Sequence, residues 1–173
     1  MARASSRGMI AALVLLACTT PMAVHVDRSE SADFSALRSY SWSVEPASSA
    51  ERLRDVTDQD LDRWIRAAVD ADLADAGYQK RPEGGDFRVQ YEVAIETRKR
   101  QQQVVMDRAG GSRSATVLYR EGTLVLEARV PKTGLPLWRG WAEAEISEYL
   151  KPEARKARIG DAVSRILARF PRR

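Results

Sequence analysis

Apolar residues recur along the chain with two periods, and each period predicts a different element. Leu61, Trp64, Ile65, Ala68, Val69, Leu73 and Ala76 return every three or four residues, which lines them along one stripe of an α-helix. The ends of that helix are marked too. Thr57 with Asp60 three residues on fits a capping box, and Gly77 fits the left-handed position past the last turn, where a side chain is strained. A second helix is predicted to open at Pro152, which suits a first helical position, with Ile159, Ala162, Val163, Ile166, Leu167 and Phe170 on one face. Arg169, Arg172 and Arg173 then sit at its negative end.

The second period is two. Phe87, Val89, Tyr91, Val93 and Ile95 alternate with Arg88, Gln90, Glu92, Ala94 and Glu96, the pattern of a strand with one buried face. Polar Arg98 to Gln103 and the Gly110-Gly111 pair predict that this strand outruns the core and turns back. After Tyr119-Arg120-Glu121-Gly122, with Gly122 read as a tight turn, Leu124, Leu126, Ala128 and Val130 point inward and Thr123, Val125, Glu127 and Arg129 outward. Pro131 to Pro136, with Gly134, form a connection. In the strand after it, Trp138 shares a face with Gly140, Ala142, Ala144 and Ile146, whereas Trp141 lies opposite with Arg139, Glu143 and Glu145. Two shorter strands are predicted at Met22 to Asp27 and Arg38 to Trp42, separated by a turn at Asp33-Phe34-Ser35, and residues 44–50 read as a surface loop.

Hairpins and few crossovers imply an α+β fold: a two-layer sandwich with a mostly antiparallel sheet and two helices packed on one face. At 173 residues the chain holds one core and hardly two, and no internal repeat is evident. That core is expected to enclose Leu61, Ile65, Leu73, Val89, Tyr91, Leu124, Leu126, Trp138, Ile166 and Phe170. Trp42 is expected there as well.

Composition narrows the chemistry. One histidine and one cysteine in the whole chain exclude a His pair, a Cys–His couple or a zinc cluster. Asp58, Asp60 and Asp62 open like a calcium loop, but Arg63 stands where that loop needs glycine and Val69 where it needs a bidentate glutamate. Acidic residues at the positive end of a helix explain them more simply. His25 has no nucleophile elbow to serve and reads as structural. Gly84-Gly85 lacks the Lys and Ser/Thr of a phosphate loop, and Arg98-Lys99-Arg100 lacks the interleaved aromatics of a nucleic-acid surface. Neither a cofactor nor a nucleic-acid partner is expected. Glu92, Glu143 and Glu145 share an outward face at a spacing a hydrolase could use, although cross-strand ion pairs with Arg88, Arg129 and Arg139 account for them better. Charge is unevenly spread: residues 45–75 carry nine acids against four arginines, whereas residues 98–173 carry seventeen bases against eight acids. Such a basic half suits anionic headgroups or acidic glycans, or else complements the first helix.

The N-terminus reads as an address. Arg3 and Arg7 precede an apolar run from Met9 to Ala17, too short to span a bilayer, which needs about 20 apolar residues. The run ends in Leu15-Leu16-Ala17-Cys18, which resembles the lipobox of bacterial lipoproteins. That resemblance implies a signal peptide over residues 1–17, a diacylglycerol on the Cys18 sulfur, and a single periplasm-facing domain over residues 18–173. Thr19 in place of an aspartate implies the outer membrane of a Gram-negative host. Losing Arg3 and Arg7 lowers the net charge from +4 to +2.

The mature chain also resembles the bacterial lipoproteins grouped as domain of unknown function 4136. The resemblance rests on Val24-His25-Val26-Asp27, Ala32-Asp33-Phe34-Ser35 and Arg38-Ser39-Tyr40-Ser41-Trp42, then on Gly77-Tyr78 and Asp86-Phe87-Arg88-Val89-Gln90-Tyr91. It continues through Tyr119-Arg120-Glu121-Gly122-Thr123-Leu124 and Leu137-Trp138-Arg139-Gly140-Trp141-Ala142 to Ile166-Leu167-Ala168-Arg169-Phe170-Pro171. Pro131 departs from it, where the family often has an acid. The resemblance implies an α+β lipoprotein and brings no activity or catalytic residue. The expected function is a non-enzymatic, membrane-tethered envelope binding or structural module. Its partners would be the bilayer through acylated Cys18 and an envelope protein or glycan, with Arg139 and Trp141 as the contact patch. The alternative is an envelope hydrolase or small-ligand carrier using carboxylates and aromatics on the sheet.

Overall fold

The computed structural model describes residues 21–30, 32–43, 56–105, 112–147 and 149–173. The export segment predicted over residues 1–17, Cys18, the loop predicted at 44–50 and the Gly110-Gly111 pair lie outside these described residues. The elements are β1 (Met22–Arg28), β2 (Ser39–Trp42), α1 (Asp58–Asp75), β3 (Gln79–Lys80), β4 (Phe87–Val105), β5 (Ser112–Arg129), β6 (Pro136–Glu145) and α2 (Pro152–Leu167).

Both predicted helices form, and their ends show why. Thr57 Oγ1 accepts the Asp60 amide at 3.0 Å and donates to the Asp60 carboxylate at 2.7 Å. At the other end the Tyr78 amide bonds the Leu73 carbonyl and the Gly77 amide bonds the Ala74 carbonyl, both at 2.9 Å. This pairing requires the following residue to turn left-handed, and Gly77 does so with φ +92°. α2 opens at Pro152 after an extended Lys151. It stops at Leu167, so Phe170 lies past its last turn rather than on its face, yet is buried.

The six strands form one sheet in the order β1-β6-β5-β4-β2-β3. Three of its pairings are antiparallel, but β2 pairs in parallel with both β4 and β3, so the sheet is mixed rather than mostly antiparallel. The reason lies in the crossover: α1 carries the chain from β2 back along the sheet, and the next two strands, β3 and β4, run the same way as β2. β5 is longer than its apolar run implied. It begins at Ser112, and Gly122 is a mid-strand residue opposite Ile95 and Ala144, not a turn. The glycine is there for space, since a Cβ on it would stand 2.8 Å from the Ile146 Cδ1 atom.

Ile65, Val69 and Leu73 of α1, Val163 and Ile166 of α2, and Val89, Tyr91, Leu124, Leu126 and Trp138 of the sheet bury into one cluster. Aromatic rings close its far end. Phe170 packs on Trp138 at 4.9 Å, Phe34 at 5.3 Å, Tyr78 at 5.6 Å and Phe87 at 5.8 Å between centroids. Leu61 and Trp42, expected inside, are only half-buried at its margin.

Leu126 is 1% exposed at the centre of this cluster. Leu126→Ala should cost about 2–5 kcal/mol, measured by urea unfolding; an unchanged midpoint would contradict the register of β5.

Candidate functional site

The β6 alternation places Trp141 and Arg139 on the face turned away from the helices. Pairing then decides their company. β1 sets His25 opposite Trp141, and the two rings stack at 5.1 Å and 22°. β5 sets Val125 on the other side, where it is 7% exposed although the alternation pointed it outward. The Arg139 guanidinium stands 5.8 Å from the Trp141 ring and 3.6 Å from Glu127. Glu127 also holds Arg129 at 2.7 Å and accepts the Gln90 amide at 2.7 Å. Trp141 is thus half-buried between His25 of β1 and Val125 of β5. A cation over such a ring contributes about 0.5–1 kcal/mol at an exposed site.

The carboxylates of the same face do not converge. Glu92 is exposed, Glu143 stands opposite Thr123, and Glu145 is ion-paired with Arg100 at 2.6 Å. In the same row Arg98 bridges Glu96 at 3.1 Å and Glu121 at 2.9 Å. Glu92, Glu143 and Glu145 therefore form no shared, water-excluded pair for general acid–base work.

The helix side of the sheet holds a feature that the sequence did not suggest. Between the first turns of α1 and α2 lies an apolar cavity of about 110 Å³. Its floor is made of inward positions with little or no side chain, namely Gly122, Ala142 and Ala144, and its walls include Leu61, Val93 and Ile159. Arg155 and Arg158 stand at its rim and tie down the chain after β6: Arg155 Nε donates to the Leu150 carbonyl at 3.1 Å and Arg158 to the Glu145 carbonyl at 2.9 Å. The space is of the order that takes a small apolar molecule in hydrocarbon-lined cavities, although here it is open to one side. The signal for it was present as a run of small residues at inward parity, but smallness becomes a cavity only when the facing helices diverge.

A third cluster joins β2 to α1. Asp70 accepts the Tyr40 hydroxyl at 2.7 Å, the Trp42 indole N–H at 2.9 Å and the Lys80 ammonium at 2.7 Å, while the Arg66 guanidinium lies 4.4 Å over the Trp42 ring. Burial works against the Asp70 charge, but the bonds from Lys80, Tyr40 and Trp42 outweigh it and hold the carboxyl below its ordinary range. Burial, and then the bond to Asp70, push the Tyr40 phenol well above its usual value. Nearby, Asp62 accepts Tyr91 Oη at 2.8 Å and pairs with Arg66 at 2.7 Å, and Asp60 pairs with Arg63. These acids serve the helix cap and buried hydroxyls. Among the described residues no group of three or more His, Cys, Asp or Glu is placed to hold a metal ion, and no helix is long and apolar enough to cross a membrane.

Residues 24–172 match the model of the family described as Domain of unknown function (DUF4136), and the chain belongs to that family. None of the curated proteins matches the chain. Among solved structures the chain is similar to a DUF4136 family protein from Bacteroides thetaiotaomicron, with a TM-score of 0.54 and 12% identity over 87% of this chain and 96% of that one. It is also similar to a PDZ domain protein from Parabacteroides distasonis, with a TM-score of 0.56 and 12% identity, covering 88% of this chain and 37% of that one. A third likeness is to a PelC dodecamer from Paraburkholderia phytofirmans, with a TM-score of 0.51 and 11% identity over 88% and 99% of the two chains. At these identities the likeness is one of fold. No catalytic family is indicated, and no specific activity comes with the comparisons.

Asp70 yields a test of its network. Its folded-state pKa lies below the unfolded one, so the carboxylate stabilises the fold above the unfolded value of about 3.9, and that contribution is lost as pH falls through the depressed value. Asp70→Asn should therefore lose about 1–2 kcal/mol at pH 7, and the gap to the wild type should narrow at pH 3. Equal gaps in urea unfolding at both pH values would remove the carboxylate from this role.

Proposed function

We propose that this protein is a lipoprotein, held by acylated Cys18 on the periplasmic side of the outer membrane, that works as a non-enzymatic binding or structural module of the envelope. The observation that carries the reading is Leu15-Leu16-Ala17-Cys18 closing a short apolar run behind Arg3 and Arg7. Membership of the DUF4136 family agrees with it. The ion-paired carboxylates, with no acid sequestered beside a nucleophile, favour binding over catalysis. In this reading the two helices form one layer against one face of the sheet, which is why the buried members of their cluster on β4, β5 and β6 all stand at inward parity. The opposite face is left to a partner, with Arg139 and Trp141 as its contact. Because the similar PelC is a dodecamer, a second copy of the chain is the first partner to test, ahead of an acidic glycan.

Cys18→Ser should move the protein from the membrane fraction to the soluble periplasm or leave an uncleaved precursor; a membrane-bound, normally matured variant would sink the anchor reading. For the contact patch, Trp141→Ala should cost about 1 kcal/mol of stability through its stack with His25 while weakening envelope crosslinks. Lost stability with crosslinks retained would make Trp141 a packing residue.

The apolar cavity favours a second reading, a carrier of a small apolar ligand. In that case short-chain hydrocarbons should raise the melting temperature of the wild type but not of Ala144→Leu, whose added carbons occupy the cavity floor.

A further inference from the structure

The strands themselves fix where a lipid anchor would sit relative to the domain. Met22, Ala144, Gly122 and Ile95 form one row across β1, β6, β5 and β4. From that row the N-terminal end of β1 and the far ends of β4 and β5 point in the same direction, because β1 runs antiparallel to β6, β6 to β5 and β5 to β4. Cys18 is four residues before Met22, so its sulfur is within about 14 Å of the row at full extension. β4 continues ten residues beyond Ile95 to Val105 and carries its ladder with β5 about 33 Å past the row. This arm outruns the tether by roughly 20 Å.

An arm standing along the membrane normal would therefore enter the hydrocarbon, and its chemistry forbids that. It carries Gln101, Gln102, Gln103, Ser114 and Thr116, and β2 pairs with β4 only over Phe87 to Val89, which leaves strand-edge amides that lipid cannot satisfy. The sheet must be inclined so that the arm lies along the headgroups, and one of its faces is dressed for that contact. On the helix side, Leu118 is 62% exposed and Tyr149, in the turn before α2, is 97% exposed. Both line an open cleft of about 440 Å³ with Arg120 and Arg158. Lys99 stands opposite Leu118 in the ladder, and Lys151 follows two residues after Tyr149. Among the described residues Glu145 is the acid that borders this cleft, and its carboxylate is ion-paired with Arg100 on the other face of the sheet. Aromatic and aliphatic side chains ringed by Lys and Arg are what a bilayer interface with anionic headgroups takes up.

The geometry points to a membrane-docking surface made of the helix-side face of the β4–β5 arm and the turn before α2, with Leu118 and Tyr149 entering the interface and Lys99, Arg120, Lys151 and Arg158 meeting phosphate. Its occupant is the phospholipid leaflet that holds Cys18, so the inference rests on the lipoprotein reading.

The test uses the full acylated protein in vesicles of phosphatidylethanolamine and phosphatidylglycerol that contain a phospholipid photo-reactive at headgroup depth. After flotation and illumination, peptide mapping should find adducts concentrated in residues 112–120 and 146–151. Substituting Leu118→Ser together with Tyr149→Ser should reduce those adducts severalfold without changing flotation or the melting temperature. Vesicle-bound protein with adducts at the 131–136 turn, evenly spread adducts, or an arm crosslinked to another protein copy would overturn the docking surface and leave the anchor standing. Failure to float would overturn both.

Discussion

Two helices of 18 and 16 residues cannot cover strands of 19 and 18, and most of this architecture follows from that mismatch of length. At 1.5 Å per residue α1 reaches about 27 Å, while β4 at some 3.3 Å per residue reaches about 60 Å. Only the half of β4 from Phe87 to Ile95 buries its inward side chains, and from Glu96 onward every described side chain is exposed. The uncovered half of the ladder has no helix over it. It carries glutamine, serine, threonine and ion-paired arginines, and the cavity lies where cover ends, between the first turns of the two helices.

The covered half was legible in the sequence because its signals are local. The α1 stripe, the Thr57 cap and Gly77 each act within one turn of chain, and the alternation of β4 and β6 needs no knowledge of what lies opposite. What failed depends on pairing at a distance. The parallel run of β2 against β4 leaves no mark on a four-residue strand, whose side chains alternate identically in either direction. Gly122 read as a turn because glycine usually is one, whereas its cause is Ile146, more than twenty residues away, lying where a Cβ would go. Val125 looked like an outward residue and is buried because β6 and β1 bring Trp141 and His25 alongside it.

The candidate sites divide along the same line. The parity that sets Trp141 and Arg139 on one face and Trp138 on the other is arithmetic on a single strand and could be read directly. The His25 stack could not, since it exists only because the N-terminal strand returns to pair with β6. The cavity was less legible still: Gly122, Ala142 and Ala144 look like ordinary inward small residues, and only the placement of α1 and α2 leaves space above them.

The charge asymmetry can now be apportioned. If the acids of α1 existed to balance the basic C-terminal half, their ion pairs would reach across to it. Instead Asp60 pairs with Arg63, Asp62 with Arg66 and Asp70 with Lys80, all partners within residues 63–80. Two of those acids also hold buried aromatic hydroxyls, Tyr91 for Asp62 and Tyr40 for Asp70, so they lock the helix onto the sheet. The basic half pairs with acids of its own stretch or its strand neighbours, as Arg129 does with Glu127 and Arg100 with Glu145, while seventeen bases against eight acids leave that stretch with a net positive charge. Near a surface such a surplus is felt within about a Debye length, roughly 8 Å at physiological salt. It can therefore act only on something held close, and a tether four residues long would hold a bilayer that close to the end of the domain where Lys99, Arg120, Lys151 and Arg158 stand.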